Sequence, residues 1–286
     1  MKQNDEVPMT NTDARTSPAW LSYHFYPLET PDVFLTRAIR PFLEQYIWPT
    51  KGTRAFFIRY EDERGPHIRL RLRGESGWIN EILRPAVEGW FAERGEYSEV
   101  PYQPEPERFG GEEALAWAEE HFHVSTRVIL DRLKHPTYSY GDAMFDGLRA
   151  HVISAYAAGF DREKTKWYFG QLSEQWLPLF FQSADPSTPE EALLFRIKEN
   201  FATSFDRQKD SLRATLAALW KALEKEKLDQ KQPEWLRWLR GNELILNGLG
   251  ENLEKALPSL LHLTNNRLGI NNQDEVFLCY LISKGL

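Results

Sequence analysis

The stretch His67-Ile68-Arg69-Leu70-Arg71-Leu72-Arg73 carries a basic side chain at every second position. On a β-strand, alternate side chains point to opposite faces. Ile68, Leu70 and Leu72 then share one face, and His67, Arg69, Arg71 and Arg73 share the other. Like charges along one strand face repel unless solvent or an anion balances them. A guanidinium presents a planar fork of donors matched to a carboxylate or a phosphate. The strand therefore offers an anion-binding surface, with a solvated edge of ordinary ion pairs as the plain alternative. If the face is covered, a bound anion is the economical partner, and each charge-assisted hydrogen bond contributes about 1.5–3 kcal/mol.

Two other stretches carry usable chemistry. Tyr102-Gln103-Pro104-Glu105-Pro106-Glu107-Arg108-Phe109-Gly110-Gly111 is stiffened by prolines and ends in two glycines. Such a segment either holds Glu105 and Arg108 at a fixed angle or merely redirects the chain. Leu261-His262-Leu263-Thr264-Asn265-Asn266-Arg267-Leu268-Gly269 is polar and turn-like between helical runs. His262 there can serve as acid or base near neutral pH, or simply as a structural cap.

Composition narrows the classes. A formal charge of −7 over 286 residues argues against a surface built to grip nucleic acid. RNA recognition on a sheet also needs exposed aromatics for stacking, and alternation places His and Arg there instead. Cys279, the single cysteine, lies in the apolar run 276–282, which makes it a core residue and precludes an intrachain disulfide. Residues 1–18 are polar, are expected to be a disordered tail, and lack the apolar stretch of a signal peptide. No run approaches the ~18 apolar residues of a membrane span, so a soluble cytoplasmic protein is expected. Neither a Gly-rich phosphate loop, a cluster of metal ligands nor a nucleophile elbow is apparent, so no cofactor and no metal are expected. His121 and His123, two apart on a helix, face different directions. The charged segment 206–232 suits a solvated helix end and turn.

The elements that must position these groups follow from periodicity. Trp20-Leu21-Ser22-Tyr23-His24-Phe25-Tyr26 is β-prone. A helix over 31–47 follows, with Thr30 as N-cap and Pro31 in first position. Strands at 54–60 and 67–73, a helix over 78–94 ended by Gly95, and a strand at 97–103 complete a β-α-β-β-α-β order. That order is the ferredoxin-like, split βαβ arrangement, whose right-handed crossovers place both helices on one face of the sheet. Helical periodicity then covers 112–134, 141–158, 162–181, 189–206, 209–227, 234–248 and 274–284. The expected fold is α+β, an N-terminal ferredoxin-like sheet packed against a large helical C-terminal half. Residues 19–286 form one domain in this reading, with a sheet part at 19–105 and a mainly helical part at 106–286.

Taken together, the opening Trp-Leu-Ser-Tyr strand, Phe57-Ile58-Arg59-Tyr60, the H-x-R-x-R strand, E-R-[YF]-G-G and the late H-x-x-x-N-R-L resemble one family. It is the C-terminal, glutamate-eliminating domain of lantibiotic dehydratases, which includes the thiopeptide-type bacteriocin biosynthesis domain. The likeness runs from about Trp20 to the C-terminus. It implies a stand-alone member of a split dehydratase that removes glutamate from glutamylated Ser or Thr of a ribosomally made precursor peptide, leaving dehydroalanine or dehydrobutyrine. It also implies a separate partner that attaches the glutamate from glutamyl-tRNA, and a homodimer is possible. The family's site residues fall on Arg69, Arg71, Glu105, Arg108 and His262. Arg69, Arg71 and Arg108 would bind the glutamyl group, and Glu105 or His262 would supply the base. His67, Arg73 and Arg267 also fall in the motifs, without an implied role. Two alternatives share this frame: a pyridine synthase that joins two dehydroalanines by formal [4+2] cycloaddition, and a non-catalytic subunit that docks an acidic leader on the arginine face.

Overall fold

Alternating polarity organises the first unit of the chain. The computed structural model describes residues 16–182, 189–228 and 232–286. Most of the expected tail, residues 1–15, lies outside them. The described chain divides into two compact units, the first ending at Pro104 and the second running Glu105–Leu286. Its class is mixed α+β, with a four-stranded antiparallel sheet in the N-terminal part and a helical C-terminal half.

The strands are β1 (Pro18–Pro27), β2 (Arg54–Asp62), β3 (Gly65–Glu75) and β4 (Gly95–Glu99), in the order β2-β3-β1-β4. This is the ferredoxin-like order anticipated from the sequence. On one face, Leu21, Tyr23 and Phe25 of β1 pair across to Leu72, Leu70 and Ile68 of β3. Two helical segments cover that face. The first, α1, joins Pro31–Phe34, a π-helical turn at Leu35–Ile39, and Arg40–Tyr46; α2 joins Ser76–Trp78, a π-helical turn at Ile79–Leu83, and Arg84–Phe91. Each π turn is followed closely by a proline, Pro41 or Pro85, which has no N–H to continue the i→i−4 ladder. Phe25 packs on Phe91 at 4.5 Å between ring centroids, Phe42 lies 5.2 Å from Phe91, and Trp90 Nε1 donates to Ala38 O at 3.1 Å. Thr30 has the extended backbone of an N-cap, but its side chain makes no capping bond.

The fourth strand is shorter and earlier than the expected 97–103. Pairing with β1 ends where Val100 N donates to Ser22 O, and Pro101 follows with no N–H to extend the ladder. Gly95, expected to end a helix, begins β4 instead. Its φ of +133° and the approach of Tyr26 O, 2.3 Å from where a Cβ would sit, require glycine there.

The second unit contains α3 (Pro106–Phe109), α4 (Glu112–Leu133), α5 (Tyr140–Ala157), α6 (Arg162–Phe180), α7 (Glu190–Asp206), α8 (Lys209–Glu224), α9 (Pro233–Leu249), α10 (Leu253–Leu268) and α11 (Asn272–Gly285). Helix α10 corrects the sequence reading, which took 261–269 as a turn. The 3.6-residue pattern is hidden because its inward face is partly polar. Thr264, Asn265 and Arg267 are fully buried beside Leu257, Leu260 and Leu261, and Pro258 interrupts the helix signal. Gly269 ends it in the left-handed conformation.

Polar groups also hold the core of this unit. Trp238 Nε1 donates to Ala150 O and Ser154 Oγ, both at 3.2 Å. His121 Nδ1 lies 2.7 Å from Asn242 Oδ1, and its Nε2 lies 3.0 Å from Thr264 Oγ1. Burial brings His121 down to about 4, with the Arg267 charge adding to the effect, and burial brings the enclosed His151 to the same value. Both imidazoles are neutral in the folded protein, whereas the unfolded chain takes up protons near the ordinary 6.5. Stability is therefore complete above that value and falls as pH drops from 6.5 toward 4. At pH 5 the loss is about 2 kcal/mol per histidine. Burial raises the carboxyls of Glu275 and Asp146, which act in the opposite sense and offset part of this loss. Thermal melts from pH 7 to pH 4.5 should show a steep decline beginning near 6.5. A melting temperature unchanged to pH 5 would contradict it. Cys279 is buried with its thiol pushed well up by desolvation, so a thiol reagent should label it only after unfolding.

Candidate active site

The face of β3 opposite the helices carries His67, Arg69, Arg71 and Arg73. Register places His24 of β1 and Ile58 of β2 on either side of Arg69, and Ser22 and Phe56 on either side of Arg71. Arg71 is only 7% exposed. Its guanidinium makes long contacts with neutral groups: Nη1 to Tyr23 O and Leu70 O at 3.4 Å, and Nη2 to His24 Nε2 at 3.4 Å. Desolvation, aided by the neighbouring Arg69 charge, lowers Arg71 to about 10. It stays protonated at neutral pH but is poorly compensated. Arg69 lies over the Tyr60 ring at 3.3 Å, and its Nε donates to His67 Nε2 at 3.3 Å. Among the described residues, neither arginine has a carboxylate partner. Burial and the two arginine charges lower His24 to about 4, and burial lowers His67 as well. Beside Arg73, the face thus brings Arg69 and Arg71 together with two neutral imidazoles among aromatic rings, and Asp62 Oδ1 lies 3.7 Å from His67 Nδ1 at its edge; the arginine pair suits an anion.

In the second unit, Glu105 is the N-cap residue of α3 and Arg108 lies within that helix. Gly110 follows at φ +111°, where a Cβ would strike the Asn252 side chain, so the E-R-F-G-G turn needs glycine at that point. Arg108 Nε donates to Ser259 Oγ at 2.9 Å, and Arg108 Nη1 lies 3.7 Å from Glu105 Oε2. The Glu105 side chain is 72% exposed, so this ion pair contributes little on its own. Ser259 and His262 are three apart on α10 and therefore share a helix face. Arg108 is thereby tied to the helix one turn from His262.

His262 has a partner that the sequence reading did not name. Its Nδ1 lies 2.9 Å from Glu275 Oε2, a fully buried carboxyl on α11, while the His262 side chain itself is 26% exposed. Phe180 stacks on the imidazole at 6.2 Å and Trp176 meets it edge-on at 6.5 Å. Burial raises the Glu275 carboxyl above its ordinary value, and the His262 contact offsets only part of that rise. With Glu275 ionised, the Nδ1 proton points at it and Nε2 carries the lone pair. A histidine oriented by a buried carboxylate is a common form of general base.

The structure places Arg69 and Arg71 together on the sheet of the first unit. It places Glu105, Arg108 and His262 on α3 and α10 of the second, with Arg108 joined to Glu105 and to α10. Glu275 and His24 were missed because nothing in their spacing marks them: the first stands in an ordinary acidic helix start, the second in an aromatic strand. Among the described residues, no three His, Cys, Asp or Glu side chains converge as metal ligands, and no helix is long and apolar enough to cross a membrane.

Comparison with known proteins decides the family. The lantibiotic biosynthesis dehydratase C-terminal family matches residues 20–286. The chain belongs to this family. No curated protein matches the sequence. Among solved structures, the pyridine synthase TbtD from thiomuracin biosynthesis superposes with a TM-score of 0.70 at 16% identity, covering 93% of this chain and 97% of TbtD. TsrL gives 0.65 at 15% identity, covering 94% of each chain. MibB, a tRNA-dependent lantibiotic dehydratase from Microbispora sp. 107891, gives 0.58 at 21% identity, covering 93% of this chain but 28% of MibB. At these identities the likeness is one of fold. This member of the dehydratase C-terminal family therefore spans about a quarter of MibB's length and nearly the whole of TbtD's.

Proposed function

We propose that this chain is the elimination component of a split dehydratase, acting on a precursor peptide whose Ser or Thr side chains carry an ester-linked glutamate. The observation that carries this reading is the pair Arg69 and Arg71, two guanidiniums on one strand face without a carboxylate partner among the described residues. A glutamyl group brings anionic carboxylate to such a face. Arg108, on α3 of the second unit, is the third arginine that the family resemblance assigns to the glutamyl group.

The reaction needs a base for the α-proton, stabilisation of the enolate that develops, and release of a carboxylate. His262 Nε2 takes the α-proton, the C–H electron pair becomes the Cα–Cβ double bond, and the Cβ–O bond breaks to expel glutamate. The proton then leaves His262 for solvent. Glu275 keeps the base in the required tautomer and stabilises the imidazolium. Glu105 is the weaker candidate for the base, because its side chain is 72% exposed and lies 3.7 Å from Arg108 Nη1. The reading makes glutamylation the task of a separate protein that uses glutamyl-tRNA, so this chain needs no nucleic-acid contact of its own. It also places the protein in the cytoplasm, where such peptides are made.

A second reading, pyridine synthase, is favoured by the near-complete length match to TbtD. The two differ in substrate. The purified protein should convert a glutamyl-Ser peptide bearing its leader, and should leave a peptide carrying two preformed dehydroalanines unchanged. Cyclisation of the latter with release of its leader would replace the eliminase reading.

A further inference from the structure

Two cations side by side must be aimed without being neutralised, and the partners found on the sheet do this. His67 Nδ1 lies 3.2 Å from Gly65 O and 3.7 Å from Asp62 Oδ1, two acceptors on the side away from Arg69, so Nδ1 carries the ring proton. His67 Nε2 is then a lone pair, and Arg69 Nε donates to it. Tyr60 supports the same guanidinium from below, which leaves its Nη edge unengaged among the described residues. His24 repeats the arrangement with Arg71, whose Nη2 is 3.4 Å from His24 Nε2. The two imidazoles lie 5.3 Å apart, and Tyr26 packs on His67 at 4.6 Å. A carboxylate in either place would orient the arginine equally well but would cancel the charge needed for the substrate. An alkyl or phenyl group would leave the charge intact but the fork unaimed.

We infer that His67, and His24 with it, are positioning residues that fix the two guanidiniums through neutral imidazole lone pairs and so keep both charges available to a dicarboxylate ligand. The inference rests on the eliminase reading for the identity of that ligand, and on the sheet geometry alone for the role of the histidines.

The test measures glutarate binding by titration calorimetry and turnover of a glutamyl-Ser peptide, using the full chain and the variants His67→Gln, His67→Phe and His67→Glu, each checked for native melting. Gln offers an uncharged acceptor, Phe offers only ring packing, and Glu offers an acceptor with a negative charge. His67→Phe should weaken glutarate about 10-fold and raise KM by a similar factor with kcat nearly unchanged, since the lost contact acts before and during the reaction alike. His67→Gln should recover most of the affinity, and His67→Glu should not. Wild-type affinity in His67→Phe, or equal binding by the Gln and Glu variants, would overturn the positioning role while leaving elimination standing. Glutarate binding that depends on His67 in a protein with no elimination activity would overturn the eliminase reading alone. Absence of both glutarate binding and turnover would overturn both.

Discussion

Replacing His262 with Asn should lower the rate of glutamate elimination by about 10²–10⁴-fold, the usual worth of a positioned general base. KM for the glutamyl peptide should change little, because in the proposed mechanism the imidazole acts on the α-proton rather than on the glutamyl group. Glu275→Gln is the companion variant. It keeps the size of the buried group and can still accept from Nδ1–H, but it removes the charge that would stabilise the proposed imidazolium. Its kcat should fall about 10-fold or more, less than for the histidine itself. Single-turnover kinetics under saturating peptide separates the effects. A His262 variant with wild-type kcat would remove the base from the account.

Arg71→Met should have two effects of opposite sign. Affinity for the glutamyl group should drop about 10- to 100-fold, the value of one charge-assisted hydrogen-bonding group. Stability of the free protein should rise. Arg71 is a buried cation surrounded by long contacts to carbonyls and a neutral histidine, so its desolvation is largely uncompensated. Replacing such a group with an apolar side chain of similar length should stabilise by roughly 1–4 kcal/mol. Thermal melts and peptide binding on the same preparation check both. A variant that is destabilised and still binds normally would make Arg71 a structural residue. Stability lost to function at a binding face is a familiar exchange, and bound glutamate should reverse it in the wild type by ligand linkage.

The strength of the sequence pattern differed from place to place for physical reasons. The strict alternation in His67–Arg73 specified both the strand and the identity of its two faces, and β3 carries them as expected. The order of the four strands followed from the same logic, because two crossover helices admit few arrangements. Helix α10 was obscured because a buried polar row, Thr264, Asn265 and Arg267, breaks the hydrophobic period that identifies a helix. The end of β4 was misplaced because pairing partners, not local propensity, decide where a strand stops. Glu275 was unreadable for a different reason. Its role depends on a contact with His262 across 13 positions and two helices, and a single sequence has no marker for such pairs. The residue types of the candidate site were therefore legible, while the groups beside them, His24, Ser259 and Glu275, emerged only from the fold.

Mass spectrometry of a modified peptide decides whether the protein eliminates glutamate. A glutamyl-Ser peptide bearing its cognate leader is incubated with the purified protein, with His262→Asn and Arg108→Ala run alongside. The wild-type protein should release free glutamate and leave a dehydroalanine in the product, with intact glutamyl peptide remaining in both variants. Unchanged glutamyl peptide in the presence of folded wild-type protein and leader, or equal elimination by the His262 variant, would contradict it.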